Sequence, residues 1–292
     1  MSGLKEIRTR IGSIKTTRQV TSAMKMVSAA KLKKAQDAVI HFRPYSSNFK
    51  QLLESAIKNF SGLIDSELTK PHDPVRILIV LISSNRGLCG AFNAAVIGKA
   101  SDLVNEKYRQ QAANDNVSFL TIGKQGERFL KSHKIKVSRN KNDLLDRLNF
   151  ENASEVSAEL RDLYLKGEYD RIELVYNDFI NAAQYIQSTQ TFLPLQFPAP
   201  DENLLRGDII FEPSPTEIAE VMFPMWLNTM FYKTLLLSCA AEHGARMTAM
   251  HQATDNATDL LGELTLQYNK ARQAAITKEI LEITGGAEAL RS

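Results

Sequence analysis

The chain has 292 residues, 43% hydrophobic and 24% charged, with a formal net charge of +3. That balance belongs to a soluble globular protein and excludes a dominantly disordered or collagenous chain. No apolar run reaches the roughly 20 residues that span a bilayer, and the first residues lack the apolar core of a signal peptide, so the chain is expected to be made and kept inside the cell. Cys89 and Cys239 are too few for a disulfide framework and fit a reducing compartment, which leaves the sequons at Asn59, Asn152 and Asn256 without a glycan role.

Leu4, Ile7, Ile11 and Ile14 recur at spacings of three and four, and Val20, Met24 and Val27 resume the rhythm after a shift. The pattern predicts a long helix that buries a narrow seam. Up to Arg43 the segment carries Lys5, Arg8, Arg10, Lys15, Arg18, Lys25, Lys31, Lys33, Lys34 and Arg43 against Glu6 and Asp37, a local charge of about +8. Such a helix can bind nucleic acid, target a mitochondrion, dock on an acidic protein surface, or simply be the solvated face of a coiled coil. No aromatic interleaves the charges before Phe42, which argues against nucleic acid, and the rhythm yields to no cleavable boundary, which argues against targeting. Pro44 should break or bend this helix, after which Phe49, Leu52, Leu53, Ala56, Ile57 and Phe60 continue an amphipathic pattern to Gly62.

Two prolines between Thr69 and Pro74 mark a boundary. Val75 to Ile82, aliphatic throughout but for Arg76, is then suited to a strand buried on both faces. The turn Ser83 to Asn93 and an alanine-rich helix to about Arg109 follow it. Further strands are predicted at Val117 to Ile122, Ile135 to Ser138, Arg171 to Tyr176 and Tyr185 to Leu195, with helices at Gln125 to His133 and Ser154 to Lys166. This βαβ order predicts a small α/β domain.

After Pro194, Pro198 and Pro200, the stretch from Ser214 to about Gly285 reads as one helix of roughly 70 residues, about 105 Å long. Ser214 caps it, Pro215 fits the first turn, Glu217 completes a capping box, and Gly285-Gly286 ends it. Pro224 predicts a bend rather than a stop. Ala257, Leu261, Leu264, Tyr268, Ala271 and Ala275 form a narrow stripe that needs a partner helix, and the N-terminal helix supplies one. Gly12, Gly244 and Gly262 each cost about 1 kcal/mol relative to alanine, a cost that close helix packing would offset. The fold class is therefore α/β: an antiparallel coiled coil of long N- and C-terminal helices with an inserted Rossmann-like α/β domain. Residues 1–68 form the first coiled-coil segment, 69–208 the domain and 209–292 the last helix.

Chemistry is sparse. The turn Ser83 to Asn93 is placed like an anion cradle, yet it matches neither GxGxxG nor GxxxxGK[ST], and no acid follows the second strand at Gly123 to hold a ribose. Cys89 has no base identifiable as its partner. Cys239 and His243, one helical turn apart, lack the second pair of a zinc site, and His251 is too far along the helix to join them. Met222, Met225, Met230, Met247 and Met250 read as packing residues. No catalytic, cofactor-binding or metal residues are assigned.

Four stretches carry a family resemblance. Ile276-Thr-Lys-Glu-Ile-Leu-Glu-Ile-Thr-Gly-Gly-Ala-Glu-Ala289, Arg10-Ile-Gly-Ser-Ile14 with Thr21-Ser-Ala-Met-Lys-Met-Val27, Arg86-Gly-Leu-Cys-Gly90, and Ala241-Glu-His-Gly-Ala-Arg-Met-Thr-Ala-Met250 are similar to the bacterial γ subunit of F-type ATP synthase. Asn85 stands where that family's loop would have Asp. The resemblance implies a noncatalytic rotor that couples proton flow through a membrane ring to ATP synthesis or hydrolysis. It implies α and β subunits, an ε subunit and a c-ring as partners, no nucleic acid, and a peripheral place on the cytoplasmic face of the inner membrane. It further implies that Met24, Lys25, Arg246, Arg272, Gln273, Thr277 and Glu279 contact loops of the catalytic subunits. Two other readings stand beside it: an enzyme built on the α/β domain with helices that only oligomerise, and a nucleic-acid-binding coiled coil. Nucleotide binding by the segment Val75 to Leu195, or salt-dependent retention of RNA or DNA, would favour them respectively.

Overall fold

The computed structural model describes residues 2–60, 66–70, 73–196 and 214–289. Helix α1 spans Ser2–Phe60 and helix α6 spans Pro215–Ala289. Between them lie β1 (Ile77–Ile82), α2 (Phe92–Lys107), α3 (Arg109–Ala113), β2 (Val117–Ile122), α4 (Lys124–Ser132), β3 (Val137–Asn140), α5 (Phe150–Leu165), β4 (Arg171–Asn181) and β5 (Gln184–Leu193). The architecture is the expected α/β fold with long terminal helices. The chain groups into two compact units, Met1–Ser28 with Met247–Ser292, and Ala29–Arg246.

The first unit is a helix pair. Thr254 donates a hydrogen bond of 2.8 Å to the Thr21 hydroxyl. Counting away from that pair in opposite directions brings Leu4 level with Ala271, Ile7 with Tyr268, Ile11 with Leu264 and Ile14 with Leu261, all of them buried or half-buried. Burial of α6 ends at Ala275, where α1 has run out. A parallel pairing from the same hydrogen bond would take α1's first residues out of this unit, so the pair is antiparallel. The seam of α1 nevertheless differs from its expected course. It keeps the three-four spacing without a shift, through Arg18, Thr21, Lys25 and Ser28, and it leaves Val20 51% and Val27 57% exposed. Apolar character drew the sequence reading off the seam, whereas the geometry of a two-helix coil holds to its period whatever residues occupy it. The end of α6 also differs, since the helix runs through Gly285 and Gly286 to Ala289. Neither glycine adopts the left-handed φ that would close a helix there.

The second unit is a three-layer domain. Its sheet has the order β3-β2-β1-β4-β5, parallel except for the antiparallel β4–β5 hairpin. β1 is central, and all six of its side chains have no exposed surface. Alternation sends Leu78, Val80 and Ile82 toward α5 and α6, where they meet Leu160, Phe223, Leu227 and Phe231. Ile77, Ile79 and Leu81 face α2 and α4, where they meet Val96, Ile97, Ala100 and Leu130. Each such side chain contributes about 1.5–3 kcal/mol by leaving water. β4 and α5 are longer than the sequence indicated. α5 starts at Phe150 because the Asn149 side chain accepts the Asn152 N–H at 2.7 Å and caps it.

Helix α1 runs on through Pro44, and α6 through Pro224. A ladder of rings supports this stretch: Phe42 against Tyr232 at 5.0 Å, Phe49 against Trp226 at 6.1 Å, and Phe150 against Tyr232 at 5.5 Å. Such packing offsets the missing proline N–H. Half of the capping box forms at the start of α6: the Ser214 hydroxyl accepts the Glu217 N–H at 3.3 Å, while the Glu217 carboxylate takes the Ser214 hydroxyl at 2.8 Å.

Of Gly12, Gly244 and Gly262, only Gly244 answers to close packing: a Cβ there would lie 2.9 Å from the Ala182 carbonyl oxygen, whereas one at Gly12 or Gly262 would meet nothing within 4 Å. Gly262→Ala should therefore raise the stability of the isolated full-length chain by about 1 kcal/mol, and Gly244→Ala should lower it, as measured by chemical denaturation. The register gives a second expectation. Ile11→Cys paired with Leu264→Cys should oxidise readily to a disulfide, while Ile11→Cys paired with Ala271→Cys, one heptad away, should not.

Candidate functional site

The turn after β1 occupies the place where open α/β sheets bind ligands, outside the carboxyl ends of the strands and at the point where strand order reverses between β1 and β4. Here that crevice is filled by the chain itself. Cys89 is 1% exposed and Phe92 fully buried, packed with Ala241 of α6 and with Phe179 and Tyr185. Asn177 of β4 donates to the Phe92 carbonyl at 3.0 Å. The Asn93 carboxamide accepts the Ser84 N–H at 3.0 Å and donates to Ser84 Oγ at 2.9 Å, so the two ends of the turn are tied together.

The neighbouring helix N-terminus is closed in the same way. At the start of α4 the N–H of Lys124 goes to Asn85 Oδ1 at 3.1 Å, that of Gln125 to the Ser84 carbonyl at 3.1 Å, and that of Gly126 to Ser83 Oγ at 2.9 Å. Those are the donors a phosphate would use. Gly123, at φ 113°, and Gly126 leave no room for a Cβ against Ser83, so the close approach depends on both glycines. The same network explains Asn85. Its amide donates to the Asn142 carbonyl at 2.9 Å and to Asp146 Oδ2 at 3.2 Å. An aspartate there could make neither bond and would repel Asp146.

Above the turn, Arg246 of α6 is 8% exposed. Its guanidinium donates to the Arg86 carbonyl at 2.9 Å and the Gly87 carbonyl at 3.4 Å, and it pairs with Glu242 at 2.8 Å. His243 Nδ1 lies 3.3 Å from Arg246 Nη1. Burial first, then the nearby Arg246 and Lys31 charges, push His243 down to about 4, so its ring is neutral and Nδ1 accepts the guanidinium proton. Burial holds the Cys89 thiol above its usual range, against weaker opposing effects from Ser84 and Arg246. A protonated buried thiol is a poor nucleophile.

A second polar cluster lies toward the other end of β4. Glu173, 2% exposed, is held by Lys107 Nζ at 2.8 Å, Tyr108 Oη at 2.6 Å and Arg171 Nε at 3.1 Å. All three reach the same carboxylate oxygen, Lys107 and Tyr108 by hydrogen bonds and Arg171 by charge alone, and Tyr108 is raised by burial and by its bond. The cluster is a buried charge with its counter-ions, and no local pattern announces it, because its members lie 65 residues apart. Among the described residues no group of three potential metal ligands converges.

The remaining predicted contact residues fall in the helix-pair unit. Met24 and Lys25 are half-buried at the seam, while Arg272, Gln273, Thr277 and Glu279 are exposed on α6. Thr277 donates to the Gln273 backbone carbonyl at 2.9 Å, so its hydroxyl is turned onto its own helix. Among the described residues, no hydrogen bond or ion pair engages the side chains of Arg272, Gln273 or Glu279. Arg246 is the exception in the set, since its charge is committed within its own chain. Past Ala275, α6 exposes Ile276 48%, Ile280 55%, Leu281 65% and Ile283 70%.

Comparison with known proteins gives a consistent result. The ATP synthase family model matches residues 3–290. The chain is 50% identical over 291 residues to an ATP synthase γ chain of Flavobacterium psychrophilum, covering all of both chains. It is 50% identical to that of Flavobacterium johnsoniae, covering 99% of each. Among solved structures it resembles a chain of the Euglena gracilis mitochondrial ATP synthase, OSCP/F1/c-ring, with a TM-score of 0.69 and 21% identity, over 99% of this chain and 95% of that one. It also resembles one from the Tetrahymena thermophila central stalk and c-ring, with a TM-score of 0.59 and 23% identity, over 80% and 99%. At those identities the structures speak to the fold alone.

The His243 environment predicts an acid response. The unfolded imidazole takes up its proton near pH 6.5 and the folded one near 4, so this residue's contribution is complete above about pH 6.5 and is lost as pH falls toward 4. The loss should reach about 1–3 kcal/mol. Glu242, raised mainly by burial, carries a slope of opposite sign. The check is therefore the difference in unfolding free energy between the native chain and His243→Gln across that window, which should shrink steadily toward acid.

Proposed function

Because the chain belongs to the ATP synthase γ-chain family, we propose that it is the central rotor shaft of a proton-translocating F-type ATP synthase, coupling proton flow through the membrane ring to ATP synthesis or hydrolysis in a hexamer of α and β subunits. The observation that carries this reading is the end of α6. Four large aliphatic side chains stand exposed beyond the last residue that α1 covers, in a polypeptide whose other long apolar stripe is paired. An apolar helix end of this kind fits inside a sleeve made by other subunits. The filled crevice beside β1 accords with a subunit that leaves bond chemistry to its partners.

On this reading the partners are the α and β subunits, an ε subunit and the c-ring, and the complex lies on the cytoplasmic face of the inner membrane. No helix among the described residues is long and apolar enough to cross a membrane, in keeping with peripheral attachment. The basic, exposed face of α1 would steer toward acidic loops, an attraction that salt screens. A single asymmetric shaft presents different faces to identical catalytic subunits and so biases each toward a different state.

Within this function, Met24, Lys25, Arg272, Gln273, Thr277 and Glu279 are the contacts to the catalytic subunits. Arg272 and Gln273 are adjacent, and Thr277 lies one turn beyond Gln273, so one loop can engage all three. Arg272 offers a planar fork that holds a carboxylate bidentately, which lysine would not reproduce. The test is complementation of an ATP synthase lacking its γ chain, followed by ATP synthesis and ATP-driven proton pumping with Arg272→Ala, Gln273→Ala and Thr277→Ala after normal assembly is confirmed. Each loss should cost about 1–3 kcal/mol of coupling or transition-state energy. Wild-type behaviour of all three in both assays would remove the proposed contact.

A further inference from the structure

Arg246 was expected among the contacts to catalytic subunits, yet its guanidinium faces its own domain. We infer that Arg246 is a positioning residue that locks the Ser83–Asn93 turn to α6, so that the helix and the sheet turn as one body. The rotational part of this inference rests on the rotor reading above, whereas the lock itself does not.

The geometry is specific. Two consecutive carbonyl oxygens, those of Arg86 and Gly87, converge on one guanidinium edge. They do so where the chain turns through left-handed φ values, 63° at Leu88 and 59° at Gly90. Leucine adopts that conformation only where its surroundings over-determine it. Cys89 supplies one anchor, buried and accepting the Asn93 amide at 3.2 Å. Arg246 supplies the other. Glu242, one turn earlier on α6, neutralises the charge at 2.8 Å, and neutral His243 accepts a further guanidinium N–H, with Nδ1 3.3 Å from Nη1. A lysine would reach one of these acceptors as a point charge, while the planar fork reaches several at once.

The surrounding stretch of α6 is shaped for the same purpose. Ala241 and Ala245 pack on the Cys89–Phe92 cluster. Gly244 brings the helix backbone against the Ala182 carbonyl at the β4–β5 turn. Small residues in the turn and a half before Arg246 thus set a close approach, and the guanidinium is the long polar group that reaches from this stretch into the turn. Without it, polar contact between α6 and the domain would fall to points three or more turns back along the helix, the Gln190 amide on Met230 Sδ at 2.8 Å and the attraction of Lys233 for Asp178.

The experiment has two arms. In the isolated full-length chain, hydrogen exchange at the amides of Ser84 and Phe92, which are hydrogen-bonded within the turn to Asn93 and to the Cys89 carbonyl, should quicken about tenfold or more in Arg246→Ala, with less effect in Arg246→Lys and little change at the buried amides of β1. In the assembled complex, Arg246→Ala should keep ATP hydrolysis and lose proton pumping severalfold. Pumping should return when Gly87→Cys and Arg246→Cys are joined by a short bismaleimide in a Cys239→Ser background. Gly87 accepts a side chain, since a Cβ there meets nothing within 4 Å, and Cys89 is shielded by burial. A direct contact between Arg246 and a catalytic subunit predicts the opposite, because joining helix to turn would restore nothing. Unchanged exchange in Arg246→Ala overturns the lock. Normal pumping in that variant, or failure of the cross-link to restore it, overturns its role in rotation. If the native chain itself fails to complement a complex lacking its γ chain, the rotor reading falls and the exchange arm still decides the lock.

Discussion

The constraint on which the rest of the structure depends is the burial of α6. A helix of 75 residues cannot cover its own apolar side chains, and each part of this one meets the need differently. Between Ala219 and Ala241 its large side chains, Phe223, Leu227, Phe231 and Leu235, enter the core beside the sheet. Between Met250 and Ala275 a narrower stripe of mixed small and large residues is matched to α1. Beyond Ala275 the aliphatic residues continue and the cover does not. The residue sizes follow these environments: bulky where a sheet provides depth, mixed where another helix runs alongside, with Ala271 level with Leu4 and Ala257 level with Arg18.

That division explains which features were legible in the sequence. Strands β1 and β2 were, because aliphatic runs bounded by turn residues have few other readings, and the observed β2 spans the expected Val117–Ile122. The cap at Ser214 was equally plain. The course of α1 beyond Ile14 was not, because the seam there is lined by Arg18, Thr21, Lys25 and Ser28, and a polar seam leaves no periodic signal while Val20 and Val27 supply a false one. Gly285-Gly286 misled for a related reason. Glycine permits a helix end and does not impose one.

The candidate site was legible in outline and hidden in its chemistry. The glycine-rich turn after β1 was visible, as was its poor match to phosphate cradles. What fills the crevice was not visible, since Asn177, Ala241 and Arg246 come from segments far along the chain and carry no local motif. The structure adds a physical reason for the missing motif. A nucleotide site needs unpaired N–H groups at a helix start and an open crevice between diverging strands. Here the α4 donors are taken by Ser83, Ser84 and Asn85, and the crevice holds Cys89 and Phe92. The fold keeps the frame of a nucleotide-binding domain and uses its binding end for attachment to a helix.

The polar section of the α1–α6 seam fits the same logic. A coil lined only by aliphatic residues is nearly indifferent to a slip of one heptad, because each side chain finds another hydrophobic position. The Thr21–Thr254 hydrogen bond removes that indifference. A one-heptad slide would set the Thr21 hydroxyl against Met247 or Leu261, where it keeps its bond to the Arg18 carbonyl and loses the one across the seam, at a cost of about 0.5–1.5 kcal/mol. It would also carry Arg18 from beside Ala257, which leaves room for its stem, toward Met250 or Leu264, both larger and both buried. A polar seam therefore gives up some burial energy and fixes register in return. For a shaft that transmits rotation, register is the property to protect, since two helices free to slide would absorb by axial slip the twist they are meant to carry.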